Sequence, residues 1–136
     1  MLARLRIRLL ERCVRESASD CMIGVMRGTN LALKFVLELA AIALLAAWGA
    51  RTDHGLGSVV LAVVAPAAMI VIWGRYAAPR SSRRLPPRLR IPLELAIFAT
   101  AGVLGYLSGL HALAITFGCV AAANAVALSY LHQWEA

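Results

Sequence analysis

Residues 34 to 40 read KFVLELA, and 56 positions later residues 90 to 96 read RIPLELA. Each stretch sets a carboxylate, Glu38 or Glu94, four residues after a cation, Lys34 or Arg90, inside an apolar run. Residues four apart share one face of an α-helix, so each cation can meet its own carboxylate. Two chemistries fit such groups. Carboxylates at membrane depth can relay protons for a transporter. They can also pair with cations and fix the register in which helices pack. The adjacent cations favour the ion-pair reading.

Other chemistry is sparse. Asp53 and His54 lie in one short connection and His111 in another, but spacing across loops does not specify a metal site, and no metal is expected. The chain has no Ser/His/Asp grouping, phosphate loop, H-E-x-x-H or dinucleotide motif. The expectation is a protein that is not an enzyme and carries no cofactor.

The surroundings that must position the carboxylates are lipid-like. The chain is 61% hydrophobic and 15% charged, with a mean hydropathy of +0.75, far from the roughly half apolar and quarter charged make-up of a soluble domain. Four apolar runs, 30–50, 58–76, 89–107 and 110–131, are each long enough to cross a hydrocarbon core of about 30 Å at about 1.5 Å per residue. The connections 51–57 and 108–111 are short and glycine-bearing, which predicts tight antiparallel hairpins.

Charge orients these spans. The net charge is +7, yet the basic residues flank apolar segments, so anionic lipid headgroups are the expected partner and nucleic acid is not. The middle connection carries Arg75, Arg80, Arg83, Arg84, Arg88 and Arg90, whereas the other two share only Arg51. By the positive-inside rule this connection and the Arg-rich N-terminus face the cytoplasm, and so does the C-terminus. Trp48 and Tyr106 fall at the expected outer ends, and Trp73, Tyr76, Tyr130 and Trp134 at the inner ends, as aromatic belts require. Pro79, Pro86 and Pro87 stop the second helix from running on, while Pro92 sits in the first turn of the third.

Residues 1–28 form a separate basic segment ahead of a four-helix domain at 29–136. Leu2, Leu5, Leu9 and Cys13 recur at helical spacing with Arg4, Arg8 and Arg12 on another face, the pattern of an interfacial helix. The segment fails as a secretory signal. The competing reading is an extension upstream of a true start at Met22 or Met26. Cys13, Cys21 and Cys119 lack metal or redox spacing and are expected as free thiols.

These residues resemble the YrdB-like family of small bacterial four-helix membrane proteins, a domain family of unknown function. The resemblance covers about residues 29–130 and rests on LALKFVLELA with Glu38, Trp48-Gly49 closing the first helix, Pro66, WGRYAAP (Trp73 to Pro79), RRLP, and Glu94 with Phe98 in LELAIF. It implies the fold and a location in a bacterial plasma (inner) membrane, and it supplies no catalytic residue.

At the offset of 56, Lys34 aligns with Arg90, Glu38 with Glu94 and Gly49 with Gly105. This reads as two tandem helical hairpins related by a pseudo-two-fold axis along the membrane normal. The two glutamates then share one depth, roughly 6 Å inward of their cations, and Asn124 arrives at nearly the same depth on the returning fourth helix. The expected result is a polar layer of Lys34, Glu38, Arg90, Glu94 and Asn124 in the inner half of an all-α four-helix transmembrane bundle. An acidic residue at mid-helix costs about 2.5 to 3.5 kcal/mol, and nine Leu, Ile, Val and Phe residues in the first run each return about 0.3 to 0.6, so insertion tolerates one glutamate per helix. Exposure to lipid would be costly, so both should face the bundle interior.

Two further features bear on assembly. Pro66 interrupts the second run as a candidate kink. GYLSG, Gly105 to Gly109, is a G-x-x-x-G that could seat a second protomer or pack within the monomer. The functional expectation is a non-enzymatic structural or interaction protein, with a homo-oligomer or another membrane protein as possible partner. The rival is a proton-coupled small-molecule transporter acting as an oligomer through Glu38 and Glu94.

Overall fold

The computed structural model describes residues 2–52, 55–78 and 81–131, with side chains from residue 20 onward. It is a bundle of four helices: α1 (Leu2–Thr52), α2 (Leu56–Tyr76), α3 (Pro87–Leu107) and α4 (His111–Tyr130). Each is long and apolar enough to cross a membrane, α1 through its portion Asp20–Thr52. The chain is thus a multi-pass membrane protein by length and composition. The bounds of α2, α3 and α4 lie within two residues of those expected from hydropathy. Helix α1 differs, because it runs unbroken for 51 residues, about 77 Å at the helical rise. No cap, glycine break or proline separates the basic segment from the first span, so the two form one element. The polar and apolar faces expected at residues 2–13, and Cys13 with them, lie outside the described side chains.

Local signals explain the helix ends. At α3, Pro86 is the N-cap residue and Pro87 the first helical residue, where a missing N–H costs nothing. The α3–α4 turn closes on Gly109 at φ +84°, with Gly109 N–H donating to Tyr106 O and Leu110 N–H to Gly105 O. That left-handed residue is what a tight helix-to-helix turn requires. The α2–α3 connection folds back on itself: Leu85 N–H donates to Tyr76 O at 2.9 Å, and the Ser81 hydroxyl donates to Arg75 O. Pro79 and Arg80 of this connection, and Trp134, lie outside the described residues.

Helix α1 is the hub. It packs along α2, α3 and α4, whereas α2 barely touches α3 and does not pack on α4. Its buried stripe, Asn30, Leu37, Ala41, Leu44 and Leu45, recurs at three- and four-residue spacing, as do Ala114, Phe117, Ala121, Asn124 and Leu128 on α4. Phe98 and Phe117 join α3 to α4 edge to face at 5.8 Å. Outward positions such as Val59, Val63 and Val71 are apolar and exposed, as a lipid-facing surface demands. Helix α2 buries only Pro66 and Met69, and it continues unbroken through Pro66.

Two glycines set the stagger of the helices. A Cβ on Gly49 would overlap the Leu61–Ala62 peptide of α2, so α1 and α2 touch there backbone to backbone. A Cβ on Gly105 would come within 2.9 Å of Leu44 Cδ2 on α1. Gly105 therefore packs inside the monomer, and Gly109 serves the turn. The repeat aligns Gly105 with Gly49, yet Gly105 meets Leu44, five residues earlier in α1, a displacement of about 7 Å along the bundle. The two-fold equivalence drawn from the repeat is accordingly not kept in the packing: α1 lies along α4, but its counterpart contact, α3 with α2, is slight.

Candidate functional site

The stagger decides what each carboxylate meets. Since Gly105 is level with Leu44, Glu94 is brought level with Lys34, and the two form an ion pair of 2.7 Å from Lys34 Nζ to Glu94 Oε2. Arg90, one turn earlier on α3, places its Nε 3.6 Å from Glu94 Oε1. Glu94 and Arg90 are 4% and 3% exposed and Lys34 is 20% exposed, so the carboxylate and the guanidinium are buried between α1 and α3 while the ammonium keeps part of its surface open. Separation from solvent strengthens the attraction, but it also imposes a desolvation cost that only good geometry recovers. Both oxygens of Glu94 face a cation, but Glu94 Oε2 and Arg90 Nε are buried without a hydrogen bond, so these contacts meet that condition in charge and not in hydrogen bonding.

Glu38 lies elsewhere. Because α1 and α2 run antiparallel and touch at Gly49 and Leu61–Ala62, Glu38 is carried level with Trp73 of α2. The Trp73 indole N–H is its hydrogen-bond partner, and Lys34 and Glu94 are near enough to act on it through their charges. Glu38, Trp73, Lys34, Glu94 and Arg84 line one cleft of about 300 Å³ between α1, α2, α3 and the α2–α3 connection. Asn124 does not join this group. Its amide Nδ2 donates to Asn30 on α1, 3.0 Å from the backbone O and 2.6 Å from Oδ1. Asn30 is one turn before Lys34 and two before Glu38, so Asn124 sits about 12 Å from the level of Glu38 rather than beside it.

The expected single layer is therefore three connected groups: an Asn30–Asn124 link between α1 and α4, the Lys34–Glu94–Arg90 cluster between α1 and α3, and the Glu38–Trp73 pair between α1 and α2. Pro66 stands apart from all three, on the face of α2 toward α1. Sequence reasoning did not single out Asn30, Trp73 or Arg84 as members. Asn30 looked like a span boundary, Trp73 a belt aromatic and Arg84 one of many loop arginines. The signal for Asn30 was available, since it precedes Lys34 by four residues and continues its stripe.

His111 packs against the Tyr106 ring at 4.4 Å, and Asp53 and His54 lie outside the described residues. Among the described residues no three His, Cys, Asp or Glu side chains gather as a metal site would require. Cys21 and Cys119 are exposed free thiols.

Against known proteins, residues 32–122 match the family described as "Protein of unknown function (DUF2568)". The chain belongs to that family. Across 99 residues this DUF2568 member is 33% identical to the uncharacterized protein YrdB of Bacillus subtilis (strain 168), covering 68% of this chain and 80% of the relative. No solved structure matches it. The YrdB-like resemblance read from the motifs is thus shown. The matched DUF2568 segment contains the buried ion cluster and every cleft-lining residue except Leu31, but neither Asn30 nor Asn124.

Proposed function

We propose that this protein is a non-enzymatic scaffold of the bacterial plasma membrane, with both termini cytoplasmic, whose buried polar groups lock one helix packing. That packing presents the basic N-terminal part of α1 to anionic headgroups and to a partner, either a second copy or another membrane protein. The observation that carries the reading is the Lys34–Glu94 ion pair between α1 and α3 with Arg90 alongside. Such groups are suited to fixing register, because Arg90 and Glu94 are buried between the helices and Lys34 reaches across from α1 to pair with Glu94. The orientation follows from the arginines of the α2–α3 connection.

A second reading, a proton-coupled transporter, draws on one observation: of the two carboxylates lining the cleft, Glu38 is half-buried whereas Glu94 is 4% exposed. Reconstituted liposomes separate the two. The scaffold reading expects no proton flux under a pH gradient and a loss of thermal stability on Glu94→Gln. Flux abolished by Glu38→Gln or Glu94→Gln with stability unchanged would replace it with transport.

A further inference from the structure

The cleft has features that register-locking does not use. It is about 300 Å³ in volume, at the lower end of the range of small-ligand sites, which pair apolar and aromatic walls with a few convergent polar groups. Its walls carry Trp73 and Phe35 as aromatic surface and Leu31 and Ala77 as apolar surface. Its charges come from different elements: Glu38 from α1 and Arg84 from the α2–α3 connection. Glu94 at its floor is already held by Lys34 and Arg90.

Charge complementarity narrows the ligand. With Lys34 and Arg90 set against Glu94, a lone cation would be drawn to Glu38 but opposed by Arg84, and a lone anion drawn to Arg84 but opposed by Glu38. A molecule carrying both signs a few atoms apart satisfies both walls, its ammonium at Glu38 beside the Trp73 ring and its anionic group at Arg84. The rim points to where such a molecule lies. Leu31 and Phe35 are 38% and 58% exposed, and Trp73 and Tyr76 belong to an aromatic belt of the kind found at headgroup level. A headgroup fits the cleft, and its acyl chains would lie outside along these apolar side chains.

We infer that the cleft between Glu38, Trp73 and Arg84 binds a zwitterion of the phosphoethanolamine type, a primary ammonium linked to a phosphate, as a lipid headgroup or as the free soluble compound. This inference goes beyond the scaffold reading and stands without it. A primary ammonium can donate hydrogen bonds to a carboxylate, which a trimethylated choline nitrogen cannot.

The test uses the full chain with Trp48→Phe and Trp134→Phe, leaving Trp73 as the one tryptophan, in nanodiscs of phosphatidylcholine. Phosphatidylethanolamine, phosphatidylglycerol or soluble glycerophosphoethanolamine is then titrated in while Trp73 emission is read. The expected result is a saturable emission change with an ethanolamine phosphate and none with phosphatidylglycerol. Response to the lipid alone assigns a headgroup site, and response to the soluble compound as well assigns a site for the free zwitterion. Glu38→Gln and Arg84→Gln should each raise the half-saturation point by about tenfold, equal to about 1.4 kcal/mol, while Glu38→Asp keeps measurable binding and shows that the bundle is intact. An equal response to phosphatidylglycerol, no response to either ethanolamine compound, or a response untouched by Glu38→Gln and Arg84→Gln would overturn the inference.

Discussion

Glu38 and Glu94 occupy the same place in a repeated L-E-L-A stretch, each four residues after a cation, yet their surroundings differ. Glu94 is buried between two helices with a cation on each oxygen. Glu38 is half-buried beside Trp73 at the wall of a cleft. Local spacing is the same, so it cannot be the cause. The cause is axial: α3 is shifted by about one and a half turns against α1, which delivers Lys34 to Glu94 and leaves Glu38 facing α2. A duplicated motif therefore supplies two copies of a side chain, and the seating of the helices assigns each copy a different task.

Removing the buried carboxylate should have the largest effect. Glu94→Gln leaves Lys34 and Arg90 together with only Glu38 nearby as a counter-charge, and a loss of about 3 kcal/mol is expected, measured by steric trapping or thermal unfolding in bicelles. The triple variant Lys34→Met, Arg90→Met, Glu94→Leu should return to within about 1 kcal/mol of the native protein, because packed apolar side chains replace the whole cluster. A triple variant as unstable as Glu94→Gln would break the account of the buried site.

Gly49→Leu tests the contact that sets Glu38 opposite Trp73. The new side chain would force α1 and α2 apart, with an expected loss of about 2 kcal/mol and a longer distance between spin labels on the two helices. A smaller effect is expected of Asn124→Leu, which removes the link to Asn30: about 1 kcal/mol, in the range measured for hydrogen bonds between membrane helices. Smallest is Glu38→Gln, within about 0.5 kcal/mol, since Trp73 can donate to an amide oxygen as it does to a carboxylate. A loss at Glu38 matching that at Glu94 would erase the distinction between the two sites.

Much of the architecture was legible in the sequence because it rests on one-dimensional signals. Apolar run lengths gave four spans, and Pro86-Pro87 and Gly109 marked ends that the structure keeps. The continuity of α1 was not legible, since the change at residue 28 is one of polarity while backbone helicity persists through it. The polar residues were readable as types but not as partners. Pairing by the i to i+4 rule predicted Lys34 with Glu38, whereas the stagger set by Gly105 against Leu44 hands Lys34 to Glu94. Asn124 was assigned a depth from helix rise alone, and the tie to Asn30 needed the face that α4 turns toward α1. Register between helices is a three-dimensional quantity that small residues decide through close approach, and hydropathy is silent on it.

The unbroken α1 has a mechanical meaning. Each residue of an α-helix is turned about 100° from the last, and a helix without a proline or glycine-serine break has no swivel. Torque applied near Leu2 is therefore transmitted along a shaft of about 42 to 54 Å to the turns that carry Asn30, Lys34 and Glu38. A rotation of the basic end by a few tens of degrees would press on three contacts together: Asn30 against α4, Lys34 against α3 and Glu38 against α2. The helix works as a crankshaft on which the polar contacts are the throws.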